Sequence, residues 1–182
     1  MSQEALKEAL QNKIAAVQSN PATARLVFRA RTHLIEDVKC AASVRSFPTM
    51  LVDEPRDIGG SDEAMNPVEL VLVALGTCQE IMYAAYAAVM GIKLDELKID
   101  VRGYLDLRGL FGLDETVPAG YQKITYETTI VSPADAATIQ RLIATAEAHC
   151  PLLDMLKRPM DVSGTITVNG QRLEMPAAVH AA

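Results

Sequence analysis

Hydrophobic and polar positions along this chain alternate with two different periods, and each change of period marks an element. Residues 3–19 place Leu6, Leu10, Ile14 and Val17 at helical spacing with Lys7, Gln11 and Lys13 between them, which predicts a narrow amphipathic helix. At Arg25 the period becomes two. Leu26, Phe28, Ala30 and Leu34 alternate with Arg25, Arg29, Arg31 and His33, as expected of a half-buried strand over 25–34. A second strand is expected over 38–44, with Val38, Cys40, Ala42 and Val44 on its apolar face. A turn at 46–48 leads to a short third strand over 49–52. Asp53-Glu54-Pro55 and Gly59-Gly60-Ser61-Asp62 then read as loop, so this third of the chain is expected to form an antiparallel three-stranded meander.

Asn66-Pro67 predicts a helix start, with a capping amide and a proline at the first helical position; the helix runs to about Met90 and stops at Gly91. Leu97, Ile99, Val101 and Leu105, then Ile124, Tyr126, Thr128 and Ile130, alternate with polar residues and predict an antiparallel pair. Their connection, residues 108–120, is long enough to carry a function. Ser132 as cap and Pro133 as first residue predict a helix ending near His149, and Cys150-Pro151 restarts a short one through Lys157. Val162, Gly164, Ile166 and Val168 alternate up to the hairpin signal Asn169-Gly170. The order α-βββ-α-ββ-α-α-β predicts a single α+β domain.

Composition narrows the class. The chain has 182 residues, 49% of them hydrophobic and 22% charged, enough to build a core without disulfide or zinc staples. Its formal charge of -6 argues against a general nucleic-acid role, which needs a concentrated cationic surface. The opening segment carries Glu4, Lys7 and Glu8 where an export signal would carry an unbroken apolar core, so a cytoplasmic protein is expected. The most apolar stretch, residues 70–90, is interrupted by Gln79 and Glu80 and lacks flanking Lys/Arg. It reads as a buried core helix rather than a membrane anchor.

Three cysteines carry the candidate chemistry: Cys40, Cys78 and Cys150. Cys40 reads as structural. Cys78 sits mid-helix, where a packed, inert thiol is the commoner outcome. Cys150 at a helix N-cap is expected to face free backbone N–H groups that favour its thiolate. His149 beside it makes a poor metal set with scattered cysteines, and no metal is expected.

Asn66-Pro67-Val68-Glu69-Leu70 through Ala74-Leu75-Gly76-Thr77-Cys78, and Ala146-Glu147-Ala148-His149-Cys150-Pro151, resemble the osmotically inducible protein C and organic hydroperoxide resistance family. Asp53-Glu54-Pro55 with Gly59-Gly60, and Asp106-Leu107-Arg108-Gly109, resemble it too. The resemblance covers roughly residues 24–168. It implies antiparallel sheets wrapped around a long central helix in an intertwined homodimer, with residues 1–20 an N-terminal helical extension, 21–170 the family domain and 171–182 a tail.

The activity it implies is reduction of organic hydroperoxides for oxidative stress defence. Cys78 would be the peroxidatic cysteine, passing through a sulfenic acid, and Cys150 the resolving one. No cofactor is bound in such proteins, and an external thiol or dithiol is the reductant. Family peroxidases also hold an arginine and a glutamate beside the reactive sulfur. Arg45 is the expected arginine, with Arg29 and Arg108 as competitors and a solvated surface as the plain reading. Glu69 is the expected glutamate, orienting Arg45. It stands one position later than the family glutamate, where this chain has Val68, and one residue turns a side chain by about 100° around a helix. Glu69 could instead serve only the helix dipole. The other reading is a non-catalytic dimeric module that binds a small apolar ligand at the interface, its cysteines inert.

Overall fold

The computed structural model describes residues 2–173, and its long axis is α2 (Pro67–Met90). Asn66 Oδ1 accepts the Glu69 N–H at 2.8 Å while Glu69 Oε2 accepts the Asn66 N–H at 2.9 Å. This reciprocal box, with Pro67 first inside, satisfies two N–H groups that a helix start leaves free. Gly91, at φ 70°, ends the helix in a left-handed conformation that other residues adopt only under strain. By length and composition α2 could cross a membrane, but here it is a core helix: Leu75, Gly76, Gln79, Tyr83, Ala87 and Ala88 are buried along it.

Other elements gather on α2. α1 (Gln3–Ser19) lies against it, with Gln3 Nε2 donating to the Ile92 carbonyl at 2.6 Å. β4 (Glu96–Tyr104) packs on it and pairs antiparallel with β5 (Lys123–Val131), from Glu96↔Val131 to Tyr104↔Lys123. α4 (Ala136–Ala148) and α5 (Pro151–Lys157) also pack against it. Two clusters form the interior: Tyr83, Ala87, Ile92, Leu142 and Ala146 in one, Leu75, Cys150 and Leu153 in the other. The fold is α+β, with antiparallel sheets and a long central helix, as the sequence led one to expect.

The N-terminal sheet, β1 (Ala30–Glu36), β2 (Lys39–Val44) and β3 (Met50–Val52), is the antiparallel meander expected, but it does not cover α2 within the chain. β1 is exposed along its whole length, and Leu26, Val27 and Phe28 ahead of it are 62%, 97% and 87% exposed. The strand expected from Arg25 begins only at Ala30, because its partner ends at Val44 and Arg45 turns away at φ 51°. Ala41, on the face expected to point outward, is the buried residue of β2.

Three further differences have local causes. Helix α4 is capped by Asp135, not Ser132: the Asp135 carboxylate accepts the Thr138 N–H at 2.9 Å, while the Ser132 hydroxyl donates to the Lys93 carbonyl and accepts the Ala134 N–H in the turn ahead of the helix. Within the long connection Asp106 caps an unforeseen turn, α3 (Leu107–Leu110). The strand expected from Val162 shrinks to β6 (Ile166–Val168), which pairs with β7 (Gln171–Leu173) across Asn169-Gly170, both at positive φ. The rest of the tail lies outside the described residues.

Candidate active site

Cys78 lies near the middle of α2, and Cys150 caps the start of α5, where Pro151 fixes the first helical residue. Because α5 packs across α2, the Cys150 thiol, 0% exposed, points to the Cys78 sulfur at 3.6 Å. Both are free thiols. A disulfide is about 2 Å long, so bond formation asks for only a small approach. Leu75, Leu153, Val101, Ile124 and Tyr126 pack around the pair.

The helix end acts on the other sulfur from the one expected. Cys150 makes no side-chain cap bond, because its thiol is turned toward Cys78. It is Cys78 that the Leu152 N–H at the start of α5 reaches. Burial nevertheless dominates and pushes the Cys78 thiol above its ordinary range; the Leu152 N–H opposes that rise and the Cys150 sulfur adds to it. The chain on its own therefore does not activate Cys78.

Arg45 and Glu69 are not brought together. The Arg45 guanidinium lies 4.5 Å over the Phe47 ring, and with Arg29 and Arg31 it lines a cavity of about 350 Å³ on the N-terminal sheet. Glu69 closes the capping box of α2, so within one chain it orients Asn66 and not Arg45. Arg108 is held by its own loop through Asp106, at 2.6 Å from Nη2 to Oδ2, and this contact draws the Asp106 carboxyl down to about 2. His149 turns its Nδ1 to the Thr145 carbonyl at 2.8 Å and its ring toward Tyr86.

Two further features lie on the loop into α2 and beside Leu75. The buried Asp53 carboxylate accepts N–H groups of Glu54, Ser61 and Glu63 and holds the loop into α2. Burial alone would raise it, but those bonds and Lys39 outweigh the burial and leave it below the ordinary range. Beside Leu75 and Leu153 opens a cavity of about 380 Å³, with Tyr121, Lys123 and Lys157 on its wall. The Tyr121 hydroxyl donates to the Val68 carbonyl at 3.0 Å. Gly103 lets its ring lie there, since a Cβ would meet it at 2.3 Å.

Sequence reasoning missed a partly buried polar cluster close to the cysteines. Glu147 Oε1 accepts the hydroxyls of Tyr126 at 3.1 Å and Tyr83 at 3.4 Å. Gln79 is 1% exposed beside them. It acts on the Tyr126 hydroxyl only loosely, and neither of its amide atoms has a hydrogen bond of ordinary geometry. The signal was present in an amide set mid-way in an apolar helix and a tyrosine on the inward face of β5.

Comparison with known proteins agrees with this architecture. The model of the OsmC-like protein family matches residues 60–164. Uncharacterized protein YmaD of Bacillus subtilis (strain 168) is 28% identical over 102 residues, 53% of this chain and 63% of that protein. The match thus spans less than two thirds of that relative. Among solved structures, an OsmC-like protein of Mycoplasma pneumoniae aligns with a TM-score of 0.62 at 20% identity, over 72% of this chain and 88% of that one. The organic hydroperoxide resistance protein OsmC of Legionella pneumophila gives 0.52 at 19%, over 72% and 90%. At such identities these two structures share the fold. The chain belongs to the OsmC-like protein family.

Proposed function

We propose that this protein is a thiol-dependent peroxidase that reduces organic hydroperoxides. The observation that supports it most is the contact of two free thiols, Cys78 and Cys150, at 3.6 Å inside an apolar cluster. The Cys78 thiolate attacks the peroxide oxygen, the O–O bond breaks, and an alcohol leaves with Cys78 as a sulfenic acid. Cys150 then closes a disulfide on Cys78 with loss of water, and an external dithiol restores both thiols. No bound cofactor takes part. The name of the Legionella pneumophila structure, an organic hydroperoxide resistance protein, supports this reading.

The working unit in this reading is a cytoplasmic homodimer. Val73 and Ile81 are 44% and 65% exposed on α2, and the apolar N-terminal sheet lacks cover within the chain. Intertwining would bury both and bring Arg45 of the partner subunit to Cys78, supplying the thiolate stabilisation that one chain lacks. Glu69 would orient that arginine. With cumene hydroperoxide and a dithiol, the protein is expected to turn over many times and Cys78→Ser not at all. Full turnover by Cys78→Ser overturns the reading.

The elevation of the Cys78 thiol by burial favours one competitor, a non-catalytic dimeric module that takes a small apolar ligand. If dilute iodoacetamide left both native thiols untouched, this second reading would replace the first.

A further inference from the structure

The cavity beside Leu75 and Leu153 plays no part in the chemistry proposed above. Neither Cys78 nor Cys150 lines it, so a molecule held there touches neither sulfur. Its volume, about 380 Å³, falls within the range of about 300–1,000 Å³ usual for small-molecule sites. Leu75, Ile124, Leu153 and Leu156 make its walls apolar. The Tyr121 and Tyr126 hydroxyls donate elsewhere, to the Val68 carbonyl and to Glu147, so these residues add ring surface rather than a free donor. Two cations stand in this lining, Lys123 at the start of β5 and Lys157 at the end of α5.

Other cations on the surrounding elements are neutralised: Lys98 by Glu96, Arg102 by Asp100, Arg108 by Asp106 and Arg158 by Asp154. Among the described residues no ion pair engages Lys123 or Lys157, and no carboxylate lines the cavity. Lys123 Nζ lies 5.7 Å from the centre of the Tyr104 ring. The chain carries a formal charge of -6, so carboxylates are plentiful and these two cations are nonetheless left without one. An apolar pocket with cations in its wall is complementary to a ligand that is apolar at one end and negative at the other. We propose that this cavity binds a small apolar molecule bearing one carboxylate. Its hydrocarbon part lies against Leu75, Ile124, Leu153 and Leu156, and its carboxylate is held by Lys123 and Lys157. The site stands whether or not the thiols turn over, since binding uses neither sulfur.

The probe is octanoate, added to the reduced full-length protein and followed by the NMR shifts of leucine, isoleucine and valine methyl groups. Saturable binding is expected, with the shifts centred on Leu75, Ile124, Leu153 and Leu156. Octan-1-ol, with the same chain and no charge, should bind about three- to tenfold more weakly, the scale of one or two exposed ion pairs. Added salt should weaken octanoate and leave octan-1-ol unchanged. Both lysines are exposed, so the double variant Lys123→Gln, Lys157→Gln keeps the fold and should bind octanoate no better than the alcohol. Equal affinity of the wild type for octanoate and octan-1-ol would overturn the inference and leave the lysines as cover for apolar surface. Undiminished octanoate binding in the double variant overturns it too, as do shifts centred on the exposed Leu26 and Val27 or no saturable binding at all. Peroxide turnover is read separately, and its absence would not touch this result.

Discussion

Cys78 and Cys150, 72 residues apart in the chain, meet sulfur to sulfur at 3.6 Å where α5 crosses α2. The contact joins a partly exposed thiol on the central helix to a fully buried one at a helix start. That asymmetry supports the roles proposed for them, with the accessible sulfur meeting the peroxide and the buried one resolving it. Cys150→Ser is therefore expected to consume about one peroxide per chain and then stop, since covalent catalysis halts when the intermediate cannot be resolved. Stopped-flow peroxide consumption reads this directly. Sustained turnover in Cys150→Ser would mean that resolution does not need Cys150.

Glu69 can be tested for its two roles separately. Glutamine serves at the third position of a capping box as glutamate does. Glu69→Gln should thus keep the melting temperature near wild type, whereas Asn66→Ala should cost about 1 kcal/mol. If Glu69 also orients the arginine of the partner subunit, Glu69→Gln lowers peroxidase turnover while stability holds. Unchanged turnover restricts Glu69 to the cap seen within the chain.

The pH dependence of Cys78 reports on assembly. Within one chain, burial raises its pKa, so a monomer should alkylate with a midpoint above the ordinary thiol value of about 8.5. In the proposed homodimer, where Arg45 of the partner subunit would lie beside the sulfur, the midpoint should fall below it. Ile81→Asp, placed on the exposed face of α2, should yield monomers in sedimentation and move the midpoint up. Arg45→Ala should move it up while the dimer persists. Identical midpoints in all three proteins would show that Arg45 has no part in activating Cys78.

Acid should loosen the loops that Asp53 and Asp106 hold. Asp53 and Asp106 have folded pKa values below the unfolded one, so their stabilisation is complete above about pH 3.9. It is lost as pH falls toward about 2, where Asp106 takes up its proton. Asp53→Asn should flatten the acid limb of a urea-stability profile taken between those limits. A wild-type acid limb in Asp53→Asn would show that the three backbone bonds to this carboxylate contribute nothing measurable.

Much of the fold was legible because it is written in local chemistry. The Asn66-Pro67 start, the Gly91 stop and the Cys150-Pro151 restart each depend on residues adjacent in sequence, and each stands where expected. The N-terminal sheet was misread in burial because alternation tells which residues share a face and not whether that face is covered. The thiol environment was misread for a related reason. Cys150 does cap α5, but its side chain answers a neighbour on α2, and the helix-end N–H falls to Cys78. Tyr126 and Glu147 are likewise joined only by the packing of β5 against α4, which no local pattern records.

Cys78 and Cys150 are proposed to form a working redox pair. The most direct test is mass spectrometry of non-reducing digests after one equivalent of cumene hydroperoxide is added to the reduced protein. A Cys78–Cys150 bridge is expected within seconds. Two intact thiols at that point would contradict it and leave the family fold without the peroxidase chemistry.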